Sequence, residues 1–191
     1  YDKTRLIVRE MADLLVLELV DKRVKTDQIV LTVGYDIDNL KKNRTGREYS
    51  GEIQTDRYGR RIPKHAHGTV NLGEYTSSTR KIMDAVTGLF EDIVDPDLLV
   101  RRVYVTANNI LPEETVADIQ LHRQLSLFDD FGSGAEDRQK ELVDEIRERD
   151  MQQAILDIKK KFGKNAILKG MNLEDGGTTI SRNGQIGGHK A

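Results

Sequence analysis

Positive charge is the chemistry this chain concentrates. Between Lys41 and His67 stand eight basic side chains (Lys41, Lys42, Arg44, Arg47, Arg57, Arg60, Arg61 and Lys64) against three acidic ones (Glu48, Glu52 and Asp56), in a chain of formal net charge −2. A local excess of cations on an acidic background is the footprint of a surface that binds phosphate; the alternative is a solvated loop whose charges serve solubility. Arg101 and Arg102, at the entrance of a β-branched run, carry the same chemistry. His65-Ala66-His67 is the one cluster with metal-ligand character. In an extended segment its two imidazoles point the same way. Cysteine is absent and no carboxylate is close in sequence, so the pair reads first as polar residues at a strand entrance that touch phosphate, and only second as a metal site.

A second constellation is Gln124-Leu125-Ser126-Leu127-Phe128, a glutamine and three large apolar groups in a polar stretch that reads as poor in helix. Pro112-Glu113-Glu114 precedes it and Asp129-Asp130-Phe131-Gly132-Ser133-Gly134 follows, so turn-forming and flexible residues separate it from a regular core. Anchors presented in this way are read by a groove on a partner, unless the linker folds back and hides Leu125, Leu127 and Phe128 on its own domain. The pentapeptide resembles the short motif by which bacterial DNA polymerases and repair proteins dock onto the sliding clamp. That resemblance implies clamp-binding roles for Gln124, Leu125, Leu127 and Phe128.

Other chemistry is missing. There is no P-loop, Gly-x-Ser-x-Gly elbow or dinucleotide fingerprint, and no carboxylates pair on a strand end. The expectation is therefore no nucleotidyl transfer and no cofactor or tightly bound metal in this chain. With 191 residues, 37% of them hydrophobic and 32% charged, there is room for one domain and an appendage. No apolar run approaches the roughly 20 residues of a membrane span, and no signal peptide is visible at the amino terminus. A cytoplasmic, nucleoid-associated location is the expectation.

The elements that must position these residues follow from periodicity. From Asp2 to about Leu19, Ile7, Met11, Leu14, Leu15 and Val16 recur at three- and four-residue steps opposite Lys3, Arg9, Glu10 and Asp13. This predicts an amphipathic helix with Asp2 as its cap or first-turn acid. Ile29 to Tyr35 is β-branched and short, a strand. Gly46, Gly51, Gly59 and Pro63 make the basic segment a long, extended connection, after which His67 to Leu72 forms the returning strand. Ser77 or Ser78 caps a second helix to about Ile93, with Ile82, Val86, Leu89, Phe90 and Ile93 buried. Val103 to Thr106 is a third strand. The order predicts an α+β fold, an antiparallel sheet covered on one face by two helices, with the other face left for work. Glu136 to Phe162 forms a C-terminal helical extension with a thin stripe of Leu142, Ile146, Met151, Ile155, Ile158 and Phe162; Gly163 caps it and 165–173 docks as a short apolar element. The glycine-rich remainder reads as a mobile tail. The divisions are 1–111, 112–135 and 136–191.

The chain also resembles, over nearly its whole length, the carboxy-terminal portion of a Y-family (UmuC/ImpB/MucB/UvrX-like) bacterial translesion DNA polymerase. The resemblance rests on the opening Asp2-Lys3-Thr4-Arg5 helix, the strand Ile29–Tyr35, His67-Gly68 leading into Ser77-Ser78-Thr79, and Arg101–Thr106. It continues in QLSLF, in Lys161-Phe162-Gly163-Lys164-Asn165-Ala166-Ile167-Leu168 and in Asn183-Gly184-Gln185-Ile186-Gly187-Gly188-His189. It implies a DNA-grasping little finger followed by a clamp-binding segment, in an enzyme of DNA damage tolerance and repair. Palm, fingers and thumb, with the carboxylates that hold catalytic Mg2+, would precede Tyr1, so the implied partners are primer–template DNA, the sliding clamp and those polymerase domains. The family's little finger begins with a strand before its first helix, whereas this chain opens on the helix. An open sheet edge and self-association through it are the corresponding expectations.

On this reading Lys41, Lys42, Arg44, Arg60, Arg61, Lys64, Arg101 and Arg102 contact DNA phosphates without reading sequence. The alternative is a protein-interaction or oligomerisation domain built on the helix 136–162. A metal-dependent hydrolase using His65 and His67 is the remote third.

Overall fold

Twenty residues without glycine or proline, Asp2–Asp21, form helix α1, with Asp2 in its first turn. The computed structural model describes residues 1–41, 49–122, 135–186 and 189–190. Strand β1 (Val24–Tyr35) follows, then a short hairpin of β2 (Ile53–Thr55) and β3 (Arg61–Pro63), strand β4 (Ala66–Thr76) and helix α2 (Thr79–Ile93). Strands β5 (Val100–Asn108) and β6 (Leu111–Pro112) lead into helices α3 (Glu113–His122), α4 (Ala135–Phe162) and α5 (Thr179–Asn183). The fold is α+β, as the residue pattern predicts. The basic segment is not one extended connection, since its second half closes into the β2–β3 hairpin.

β1 is the central strand, antiparallel to β4 on one side and to β5 on the other, with β6 pairing its first residues. Because strand side chains alternate, Ile29, Leu31, Val33 and Tyr35 point one way and are buried under α1 and α2. Ile82, Val86 and Phe90 of α2 fill the same core, with Leu89 and Ile93 partly buried at its margin. Ser78 caps α2, accepting from the Lys81 N–H.

α1 departs from the expected stripe. Glu10 and Asp13, assigned by periodicity to the solvent face, are buried, while Ile7, Met11 and Leu14 are only half-buried. The reason is a third layer, in which α4 and the segment after it pack on the outer side of α1. That segment, read as a mobile tail, is fastened where it is described. Glu10 accepts from the Thr178 N–H (2.8 Å), the Thr178 hydroxyl (3.0 Å), the Thr179 N–H and Asn172 Nδ2 (3.1 Å). The 165–173 element does dock, but through a polar group, the buried Asn172 in a 3-10 turn at Gly170–Leu173.

α4 docks by polar contacts together with a small part of its apolar side, Leu156 joining the core and Ile155 of the expected stripe packing against it. Ile146, Met151 and Phe162 are exposed, and among the described side chains of α4 the buried ones are Gln152 and Leu156. Gln152 Nε2 donates to the Ser77 carbonyl (3.0 Å) and Thr79 Oγ1 (2.9 Å), and Glu148 accepts from Ser78 Oγ and the Thr79 N–H, both at 2.7 Å. Glu148 thus supplies from another helix a second cap to α2, whose first-turn donors have no intrahelical acceptors. Glu148→Ala is expected to cost about 2 kcal/mol, a lost cap together with an uncompensated Ser78 hydroxyl. The check is the urea midpoint at unchanged m-value. Gly163 ends α4 at φ +99°, a conformation that favours glycine.

The stretch from Pro112, read as poor in helix, holds α3, with Val116 buried and Glu113 accepting from Arg149 Nη2 (2.5 Å). Gln124, Leu125, Leu127 and Phe128 lie outside the described residues. Among the described residues no helix is long and apolar enough to cross a membrane.

Candidate nucleic-acid interface

The alternation that buries Ile29, Leu31 and Val33 leaves Gln28, Val30, Thr32 and Gly34 on the opposite face of β1. The register aligns them in rows with β4 and β5: Asn71, Gln28 and Asn108; Thr69, Val30 and Thr106; His67, Thr32 and Tyr104; and Gly34 beside Arg102. The first row is a ladder of amides, with Gln28 Nε2 donating to Asn71 Oδ1 (2.9 Å) and Asn108 Nδ2 donating to Gln28 Oε1 (3.1 Å). No carboxylate stands in these rows. Gly34 is required by a close approach, because a Cβ there would stand 2.8 Å from Arg102 Cγ.

At the end of this face the hairpin closes a groove of about 400 Å³. Thr32, Gly34, Arg101, Arg102 and Tyr104 contribute from the sheet, and Gln54, Asp56, Arg57, Tyr58 and Arg60 from the hairpin. The hairpin turn is built on Asp56, whose carboxylate accepts from the Tyr58 N–H (2.8 Å), the Arg60 N–H (3.0 Å) and Arg60 Nε (2.9 Å). The Arg60 guanidinium, with these N–H groups, holds the Asp56 carboxyl down at about 2, so it stays ionised and matched to Arg60 through the working range of pH. Arg57 and Arg60 lie 4.7 and 5.1 Å from the centre of the Tyr58 ring, within cation–π range.

The groove gathers Arg60, Arg101 and Arg102 of the expected cations and adds Arg57. Lys41, Arg61 and Lys64 do not line it, and Lys42 and Arg44 lie outside the described residues. Several of the cations have local partners: Lys41 with Asp38 (2.7 Å), Lys64 with Glu52 (2.7 Å), Arg60 with Asp56 (2.7 Å) and Arg101 with Asp36 (3.4 Å). Arg61 and Arg102 have no ion pair among the described residues. Tyr58 and Tyr104, 64% and 53% exposed, were not anticipated. Period-two alternation would have shown Tyr104, which follows Arg102 by two residues and so shares its face.

His67 Nδ1 lies 2.8 Å from Thr32 Oγ1 and His65 Nδ1 2.8 Å from Gln54 Nε2. Each ring therefore spends one nitrogen on a neighbouring side chain. Among the described residues no group of three or more His, Cys, Asp or Glu is placed to hold a metal ion. A second cavity, beside α4 where the chain enters α2, is lined by Lys25, Ser78, Glu145, Glu148, Arg149 and Asp150 among others; Glu145 pairs with Lys81, Arg149 with Glu113, and Glu148 caps α2. These charged groups serve the packing of α4.

Residues 1–127 match the impB/mucB/samB family C-terminal domain. The chain belongs to this family. No curated protein and no solved structure matches it. The impB/mucB/samB C-terminal domain is the C-terminal region of Y-family polymerases, which act on DNA in damage tolerance. In this family member the matched span contains the sheet, α1, α2, the groove and α3, and ends within the QLSLF pentapeptide. α4 and the segment held by Glu10 lie beyond it.

Proposed function

We propose that this domain is the DNA-grasping little finger of a translesion polymerase, binding the primer–template backbone through the open sheet face and its hairpin. The observation that carries the reading is the groove, where four guanidiniums (Arg57, Arg60, Arg101 and Arg102) face a single lining carboxylate, Asp56, already matched by Arg60. The face beside it offers uncharged amides and hydroxyls, which hydrogen-bond to phosphate and sugar without discriminating among bases. Gln124, Leu125, Leu127 and Phe128 bring the domain to the bacterial sliding clamp, and catalysis with Mg2+ belongs to the other polymerase domains.

Cations held by neighbouring carboxylates release fewer counterions than unpaired ones, so Lys41, Arg60, Lys64 and Arg101 count for less. Arg57, Arg61 and Arg102 should contribute most. With about four phosphates neutralised, log K should fall against log salt with a slope of about −3 to −4, nearly independent of DNA sequence. Arg57→Ala, Arg61→Ala, Arg102→Ala together should reduce that slope by about 2 to 3, each phosphate contact being worth about 0.9. Fluorescence anisotropy at several salt concentrations measures both. An unchanged slope in the triple variant would refute the reading.

A further inference from the structure

A duplex presents its phosphates outward and keeps its bases stacked inside, so a convex or flat basic surface is enough to hold it. The groove between the hairpin and the sheet is concave, and it contains exposed aromatic rings as well as guanidiniums. Its sheet side is floored by small residues, Thr32 and Gly34, beside which Tyr104 stands. Gly34 lets the Arg102 side chain lie against the backbone, and the Arg102 guanidinium has no ion pair among the described residues. The Tyr58 ring, though exposed, is engaged by the Arg57 and Arg60 guanidiniums, whereas among the described residues no cation lies over the Tyr104 ring, which makes Tyr104 the face for a ligand. A volume of about 400 Å³ falls within the range of small-molecule sites. A flat aromatic face next to unpaired positive charge is the pairing that binds single-stranded nucleic acid: the ring stacks on a base and the cation takes its phosphate.

We infer that this groove holds one unpaired nucleotide of a DNA strand, its base stacked on Tyr104 and its phosphate on Arg102 and Arg57. The inference rests on the DNA-binding reading above and adds to it a preference for DNA with a single-stranded portion. A base in a duplex cannot reach Tyr104 without leaving the stack, so blunt DNA gains only the backbone contacts.

The test compares the 191-residue chain on a labelled blunt duplex and on the same duplex with a short 5′ single-stranded overhang. The overhang should bind about tenfold more tightly, the scale of one base stacked on an aromatic ring. Tyr104→Ala should abolish that preference, costing about tenfold more on the overhang DNA than on the blunt duplex, and Tyr104→Phe, which keeps the ring, should restore it. Thermal melts matching wild type show that both variants are folded. Equal affinity of wild type for the two DNAs overturns the inference and leaves the duplex reading standing, whereas binding to neither DNA at low salt overturns both. Equal loss on both DNAs in Tyr104→Ala also overturns it. A third arm adds dATP as competitor. Displacement of the overhang DNA by dATP would assign the groove to a free nucleotide instead of a strand.

Discussion

Replacing Glu10 by alanine is expected to release residues 170–183 from the domain and to lower stability by about 3 kcal/mol, the scale of breaking a buried charged network by removing one member. Glu10 is fully buried on the outer side of α1. Its carboxylate receives two backbone N–H groups, a hydroxyl and an amide from the 3-10 turn and the start of α5. Without it the Thr178 and Thr179 N–H groups and the Thr178 hydroxyl are left in the interior without that acceptor, Asn172 Nδ2 keeps only Thr179 Oγ1 (3.3 Å), and the segment leaves for water sooner than stay unpaired. Lys169 with Asp13 and Lys3 with Asp175 hold the same region from the periphery, but Asp175 and Lys3 are exposed and contribute little. Hydrogen exchange reads the outcome: the Thr178 and Thr179 amides should exchange near coil rates in Glu10→Ala while the β1 amides keep their protection. Unchanged protection at Thr178 and Thr179 would sink the idea.

The same carboxylate sets a pH dependence. Burial by itself pushes the Glu10 pKa up, but the Thr178 N–H, the Asn172 amide, the Thr178 hydroxyl and the Thr179 N–H together outweigh it and bring the value below the ordinary glutamate range. A carboxyl lowered on folding contributes stability that is complete above its unfolded pKa, about 4.3, and is lost as pH falls through the lower folded value. The segment should therefore hold at neutral pH and loosen only in stronger acid. Glu10→Gln should remove this acid dependence.

The second large effect is expected at the clamp. Leu127→Ala, Phe128→Ala should weaken binding of the full chain to the bacterial sliding clamp by a hundredfold or more, since each apolar anchor is worth about 2 kcal/mol as an interface hot spot. The two residues are adjacent, so their losses need not add, which is why the double variant is given a lower bound. In sequence the motif falls between the end of α3 at His122 and the start of α4 at Ala135, and it includes none of the residues that line the groove. Its loss should accordingly leave the salt slope on DNA untouched. A titration in which the double variant binds the clamp as wild type does would show that QLSLF has another use.

Periodicity made much of this domain legible. β1, β4 and β5 alternate, α2 carries its apolar residues at helical spacing behind a serine cap, and the uncovered sheet face follows from the order of elements. The β2–β3 hairpin escaped because strands of three residues are too short to show a period, and its turn is made by one side chain, Asp56, bonding two backbone N–H groups. Tyr104 escaped for a related reason: an isolated tyrosine in a strand gives no linear signal of what stands across the sheet from it.

The residue pattern by itself determined the α+β class, the core face of the sheet, a serine cap at Ser77 or Ser78, which the structure places at Ser78, the cap at Gly163 and the concentration of positive charge. Tertiary structure alone decided which polar groups would be buried. Glu10 reads as solvent-facing on its own helix, and it is drawn inward only because another segment presents unpaired backbone donors at that place; Glu148 and Gln152 of α4 are held in the same way by backbone groups where the chain enters α2. Hydrophobic burial is periodic and local enough to be written along a helix or strand, whereas a buried hydrogen bond needs a partner whose position is set by the whole fold.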